Sequence, residues 1–189
     1  GAACAVRSTP RLRRRREPDL PPDLKADSLA FALHLSAAAV AEVLAGRSLS
    51  EALAQCWRAQ PQLAGGQRGA VQDLAYSALR RYGRGDFFLA RLMEKPPAGA
   101  VRALLLAALA RLEARPEEAH TIVDQAVEAA AALARGKYKA LVNGVLRNFL
   151  RRRAELEAAA EADEAARWQH PTWWIARLRA AHPRDWQAI

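Results

Sequence analysis

The chain has 189 residues, of which 45 are alanine, whereas valine, isoleucine and threonine together number only 15. Because strands favour β-branched side chains and alanine favours helix, this composition argues against a β-sandwich, a barrel or a doubly wound sheet, and predicts an all-α protein. The formal net charge is +9, with 25 arginines and four lysines against 20 acidic residues, which favours a polyanionic partner.

Residues 1–25 differ from the rest of the chain. They contain six arginines, one lysine, three acidic residues, four prolines and no apolar periodicity, which predicts a disordered arm with a net charge of +4. An arginine-rich arm can follow phosphates, although a mis-assigned start codon or a cloning remnant explains it equally well. The weaker candidates for RNA contact in this arm are Arg11, Arg13, Arg14, Arg15 and Arg16.

Four helices are predicted in the first half of the remaining chain, from their start and stop signals. Asp27 or Ser28 begins the first helix, and Gly46 ends it. A capping box from Ser48 to Glu51 begins the second helix, which stops before Pro61. The predicted spans are 28–45, 48–60, 65–82 and 86–94.

Three more helices and a tryptophan-rich segment follow. The fifth helix, 101–115, is apolar on most sides and is expected to lie at the centre of the fold. The sixth spans 117–134, with Gly136 as its expected C-terminal cap, and the seventh runs from Lys137 to about Ala160. A last helix is expected between His170-Pro171 and His182-Pro183.

The sequence offers few residues for catalysis or metal binding. It has no glycine-rich phosphate loop and no Cys-x-x-Cys pair, and its four histidines lack metal-ligand spacing, so we expect no metal and no catalytic residue in this chain. Cys4 and Cys56 form no disulfide framework, which indicates a reducing, cytoplasmic setting. No apolar run approaches the roughly 20 residues of a membrane helix, so no membrane partner is expected.

Basic clusters are the more informative feature. On the seventh helix, Leu141, Val142, Val145, Leu146 and Phe149 share one face, and two arginines four residues apart lie on the opposite side. Cations near helix C-termini can simply complement the helix dipole, so a structural role stays open for part of the set. The candidates for RNA binding are Arg80, Arg81, Arg84, Lys137, Lys139, Arg147, Arg151, Arg152 and Arg153.

Gly144 stands inside the seventh helix, where glycine costs about 1 kcal/mol relative to alanine. We therefore expect it to allow close contact with a neighbouring helix. Asn143 is expected to form a hydrogen bond across that contact.

Several segments, taken in order, resemble a known family. They are Gly46–Leu53, Arg68–Lys95, His120–Glu128 and Leu141–Leu150, the last containing Val-Asn-Gly-Val-Leu. Together they resemble the NusB-type RNA-binding domain, and more closely that domain at the front of bacterial ribosomal RNA cytosine-5 methyltransferases of the RsmB (Sun/Fmu) type. Arg147 and the later His170-Pro-Thr-Trp-Trp stretch favour the methyltransferase branch.

This resemblance implies a NusB-like bundle of about seven helices over 26–160 and a helical linker over 161–189. The linker would lead to a methyltransferase domain that is absent from these residues and that would bind S-adenosylmethionine. The implied partners are small-subunit ribosomal RNA and the protein's own methyltransferase domain. The candidates for docking that domain are Trp168, Trp173, Trp174 and Trp186.

Two other interpretations remain open from the sequence. The chain could be a free NusB-type antitermination factor that binds RNA together with a ribosomal protein. It could also be a helical docking module that contacts no RNA, since large aromatic side chains suit buried contacts.

Overall fold

A computed structural model describes residues 24–188, and the predicted disordered arm lies almost wholly outside them. Within these residues the chain forms helices and no strand, which confirms the all-α prediction. Three short 3-10 turns lie at Pro116–Glu118, Ala134–Gly136 and Trp186–Ala188. The α-helices are α1 (Leu29–Leu44), α2 (Leu49–Ala59), α3 (Gly65–Arg80), α4 (Tyr82–Leu92), α5 (Gly99–Ala114), α6 (Ala119–Ala131), α7 (Lys139–Arg151), α8 (Arg153–Ala162), α9 (Glu164–Trp168) and α10 (Thr172–Ala181).

Two helices form the centre of the bundle. The central position predicted for α5 is confirmed, since every residue from Ala103 to Ala110 is buried. Helix α1 lies beside it and also packs on α2, α3 and α6. Nine of its sixteen residues are buried, among them Phe31, Leu33 and Val40. A helix buried on most sides is stabilised mainly by the apolar area removed from water.

The predicted ends of the first two helices are confirmed in detail. Gly46 follows α1 with a φ of +98°, a conformation that favours glycine. At the start of α2, the Ser48 hydroxyl accepts a hydrogen bond from the Glu51 amide at 3.3 Å, and the Glu51 carboxylate accepts one from the Ser48 amide at 3.4 Å. The Ser48 hydroxyl also donates to the Glu51 carboxylate at 2.8 Å, and this bond, together with the one from the Ser48 amide, lowers the pKa of Glu51.

The boundary between the third and fourth helices differs from the prediction. Helix α4 begins at Tyr82 rather than Asp86, so that Gly83 and Gly85 lie inside it. A Cβ atom at Gly85 would lie 2.8 Å from Leu106 Cδ2 of α5, and one at Gly83 would lie 3.4 Å from the backbone oxygen of Ala165. These glycines therefore serve close packing of α4 rather than a break in the chain.

The sixth and seventh helices also differ from the prediction. Helix α6 ends at Ala131 instead of Ala134, and Gly136 belongs to a 3-10 turn rather than to a helix cap. The predicted seventh helix is divided at Arg152, whose backbone (φ −106°, ψ 16°) separates α7 from α8. Arg152 and Arg153 consequently do not continue the exposed face of α7.

The C-terminal helices remain attached to the bundle. Helix α9 packs on α4 and α8, and α10 packs on α9 while burying only Ile175. The last helix predicted between the two His-Pro pairs is confirmed as α10. The domain boundary between residues 160 and 161 stays a prediction.

Candidate nucleic-acid interface

Helix α7 presents one buried face and one exposed face. Val142, Val145, Leu146 and Phe149 are buried against the bundle, while Leu141 lies at the edge and is 36% exposed. On the opposite side, the exposed residues include Gly144, Arg147 and Arg151. The helical spacing therefore places two cations in solvent, as the sequence predicts.

Arg147 and Arg151 have no carboxylate within 4.0 Å among residues 24–188. The Nε atom of Arg147 donates a hydrogen bond to Asn143 Oδ1 at 2.9 Å, one turn earlier on the same helix. This bond orients the guanidinium and leaves its two terminal nitrogens without a partner in the described part of the chain. A guanidinium held in this way is suited to bidentate hydrogen bonding with a phosphate.

Two lysines lie where the chain enters α7. Lys137 and Lys139 are both exposed, and Lys137 Nζ lies 5.8 Å from the centroid of the Tyr138 ring. The turn before them holds Ala134 and Arg135 at φ values of 45° and 57°, which non-glycine residues rarely adopt. The exposed basic residues Lys137, Lys139, Arg147 and Arg151 are called the α7 basic face below.

Arg152 and Arg153 make ion pairs within the protein instead. Arg152 donates to both carboxylate oxygens of Glu155, at 2.6 and 3.0 Å, which raises the pKa of Arg152 and lowers that of Glu155. Arg153 donates to Glu157 at 2.8 Å and to the backbone oxygen of Leu112 at 3.2 Å. Much of the donor capacity of these two arginines is therefore already used.

Arg84 is the most enclosed of the candidate cations, with only 13% of its side chain exposed. It donates to Glu113 and to Glu161, each at 2.6 Å, and its guanidinium lies 5.4 Å from the Phe88 ring centroid. Burial acts to lower the pKa of Arg84, but the hydrogen bonds and charges of the two carboxylates outweigh it, and the pKa is raised. Arg84 thus joins α4 to the ends of α5 and α8.

The other two arginines at this corner are more accessible. Arg81 lies 3.4 Å from Glu113 and is about half exposed, and Arg80 is exposed above the Tyr76 ring. Both stay candidates for RNA contact.

The four tryptophans divide into two pairs. Trp168 and Trp186 pack edge to face at 5.0 Å, with the Arg179 guanidinium 4.4 Å from the Trp186 ring centroid. Trp173 and Trp174 are 60% and 39% exposed, and their ring centroids lie 5.7 Å apart. The second pair therefore offers apolar surface to a partner, whereas the first pair stabilises the C-terminal segment itself.

Asn143 and Gly144 have different surroundings from those expected. A Cβ atom at Gly144 would have no atom of a neighbouring helix within 4 Å, so the expected close helix contact is wrong. Asn143 bonds to Arg147 on its own helix rather than across an interface. Their spacing of four residues was the signal in the sequence that could have identified this pair.

Three further features of the described residues concern metal binding, cysteine reactivity and membrane-spanning helices. Residues 24–188 contain no group of three or more histidine, cysteine, aspartate or glutamate side chains placed to hold a metal. Cys56 is buried, and this burial raises the pKa of its thiol, which does not suit a nucleophile. None of the helices in this range has the length and apolar character needed to span a membrane. The arm candidates, Arg11 and Arg13 to Arg16, lie outside the described residues.

The chain matches the family described as "NusB family" over residues 28–151. Its relatives include "Ribosomal RNA small subunit methyltransferase B" from Cronobacter sakazakii and from Escherichia coli O6:H1, each 33% identical over 159 residues, and the protein of the same name from Serratia proteamaculans, 35% identical over 159 residues. Each alignment covers 82% of this chain but 36% of the relative, so the chain spans about a third of the length of these proteins. The family match extends over more than half of the chain, from α1 to the end of α7, and the chain therefore belongs to the NusB family.

Proposed function

We propose that this chain is the RNA-binding part of an S-adenosylmethionine-dependent ribosomal RNA cytosine-5 methyltransferase and that its ligand is small-subunit ribosomal RNA. The observation that carries the proposal is the α7 basic face, whose Arg147 and Arg151 have no acidic partner among the described residues. Cations that are not neutralised inside the protein are available to phosphates and bind them in a salt-dependent manner.

The relatives support the choice of RNA. All three are named as methyltransferases of small-subunit ribosomal RNA, and the NusB-like region is the part that this chain shares with them. No observation separately favours a free antitermination factor. We expect the methyl donor to bind, and the catalytic residues to lie, in the part of such a methyltransferase with which this chain does not align.

The proposed role of these residues is to bind and orient RNA. Arg147 would grip a phosphate with its two terminal nitrogens while Asn143 fixes the direction of the side chain. Arg151 lies one turn further along the same face and would contact a neighbouring phosphate. Such contacts hold the RNA in position and do not read its sequence.

A double charge reversal tests this proposal. In Arg147→Glu/Arg151→Glu, we expect weaker binding to small-subunit ribosomal RNA fragments. The negative slope of log affinity against log salt should become less steep by about 1.4–1.8, because two phosphate contacts are lost. Fluorescence anisotropy at several salt concentrations measures both quantities.

The control is Arg58→Glu/Arg177→Glu, which makes the same charge change at exposed positions on α2 and α10. Its effect is expected to be small and to come only from the altered net charge. If the unmodified chain showed no salt-dependent binding, or if the α7 double variant bound like the control, the proposal would be overturned.

We also propose a docking role for Trp173 and Trp174, whose exposure is the observation that favours it. The proposed occupant is the catalytic part of the same protein, because the relatives of this chain are about three times its matched length. Exposed indole rings bury a large apolar area when a partner covers them.

A further inference from the structure

Gly144 is an exposed residue in the sixth position of the thirteen-residue helix α7. Glycine weakens a helix at such a position because it leaves the unfolded backbone with more freedom than alanine does. The described structure gives no packing reason for it, since a Cβ atom there would meet open space. Its φ is not positive, so no backbone requirement for glycine exists either.

The neighbours of Gly144 give it a different meaning. Helical side chains lean towards the N-terminus of their helix, so a side chain at 144 would cover the turn that contains residues 140–143. Arg147 leans back over this same turn, where its Nε atom bonds to Asn143 at 2.9 Å. The missing side chain therefore leaves bare helix backbone beside an oriented guanidinium.

Gly69 shows that an exposed glycine in a helix does not by itself lie beside an oriented, free guanidinium. It also lies in a helix, is exposed and has open space at the Cβ position. Its neighbouring cation, Arg68, however, donates to the backbone oxygen of Pro61 and lies above the Trp57 ring. Gly69 thus lacks the free, oriented arginine that stands beside Gly144.

We propose that Gly144 is a positioning residue that lets an RNA phosphodiester backbone approach the main chain of α7, where the terminal nitrogens of Arg147 bind the phosphate. This inference rests on the proposed RNA-binding function. RNA fits the place better than a protein partner does, because the flanking Arg147 and Arg151 are cations without acidic partners in the described structure, and phosphates supply the opposite charge. A side chain at 144 would hold the phosphate away and weaken its attraction to the guanidinium.

The test compares stability with RNA affinity in the full chain. Gly144→Ala is expected to raise the thermal midpoint by about 2–4 °C, because alanine favours helix, while it weakens binding to the small-subunit ribosomal RNA fragment about threefold. Gly144→Leu is expected to weaken binding about tenfold or more and to make the negative slope of log affinity against log salt less steep by about 0.7–0.9, as the loss of one phosphate contact does. A merely structural role would move stability and affinity in the same direction.

Gly69→Ala is the matched control, expected to raise the midpoint similarly and leave RNA affinity unchanged. A double variant, Gly144→Leu/Arg147→Gln, is expected to bind no worse than Arg147→Gln alone, because both substitutions remove the same contact. RNA affinity unchanged in Gly144→Leu would overturn the inference while leaving the proposed function in place. Absence of RNA binding by the unmodified chain would overturn both.

Discussion

At the scale of single residues, arginines that the sequence places in one set of RNA-binding candidates have different roles. Arg147 has one neutral partner on its own helix, whereas Arg84 makes two ion pairs with residues 29 and 77 positions away. The sequence shows the exposed face of α7 because that face depends on local periodicity. It does not show the partners of Arg84, because Glu113 and Glu161 reach it only after α4, α5 and α8 have packed.

Arg84 should therefore matter to stability more than its charge alone suggests. We expect Arg84→Ala to lower the free energy of unfolding by about 3 kcal/mol, because Glu113, with 5% of its side chain exposed, would lose its closer cation. Arg81→Ala, which removes the half-exposed partner of the same carboxylate, should cost less than about 1 kcal/mol. Urea denaturation of both variants measures the difference, and equal losses would contradict the role given to Arg84.

At the scale of elements, helices with local signals at their ends were predicted best. The capping box of α2 and the glycine after α1 need only neighbouring residues, and the apolar pattern of α5 directly reflects its burial. The sequence contains no capping residue or glycine that would predict the division of α7 from α8. This division coincides with the pairing of Arg152 with Glu155 and with the backbone oxygen of Arg91, a residue 61 positions earlier.

The junction of α1 and α6 should make stability depend on pH. His34 of α1 has a pKa below its ordinary value of 6.5, because burial disfavours the charged ring more than its hydrogen bond with the Ala129 backbone favours it. Its Nδ1 atom is buried without a partner in the described structure. The unfolded chain therefore binds a proton more readily, and the contribution of His34 to stability is present above pH 6.5 and lost as the pH falls below it.

We expect the urea concentration at the unfolding midpoint of the unmodified chain to decrease as the pH is lowered from about 7 to about 5.5. This decrease should be smaller in His34→Gln, which has no titrating ring. His120→Gln, at an exposed position on α6, is the control and should keep the decrease. An equal pH dependence in His34→Gln and the unmodified chain would show that another group is responsible.

At the scale of the whole molecule, charge and exposed aromatic surface lie on different helices. The α7 basic face and the Trp173–Trp174 pair of α10 belong to separate elements that are not adjacent along the chain. The basic face was predicted from helical periodicity, and the tryptophan-rich segment from its composition and from family resemblance. Which two of the four tryptophans are exposed depended on the packing of Trp168 against Trp186, which only the folded chain shows.

The two surfaces should respond separately to substitution. We expect Trp173→Ala/Trp174→Ala to leave RNA affinity within about twofold of the unmodified chain, because these rings are assigned to docking and not to phosphates. In a protein that also carries the catalytic part, the same double substitution should lower methyltransferase activity. Anisotropy and methyl-transfer assays measure the two effects, and a large loss of RNA affinity would indicate instead that the rings stack on bases.

The central position of α1 has a consequence for synthesis on the ribosome. Helix α1 is buried by α2, α3, α5 and α6, and the last of these ends at Ala131, 87 positions after the end of α1 at Leu44. At about 5–20 residues per second, the apolar surface of α1 waits roughly 4–17 s for its full set of partners to be translated. During that interval the nascent chain exposes a helix that would otherwise be buried, which makes it a natural substrate for chaperones that hold apolar segments.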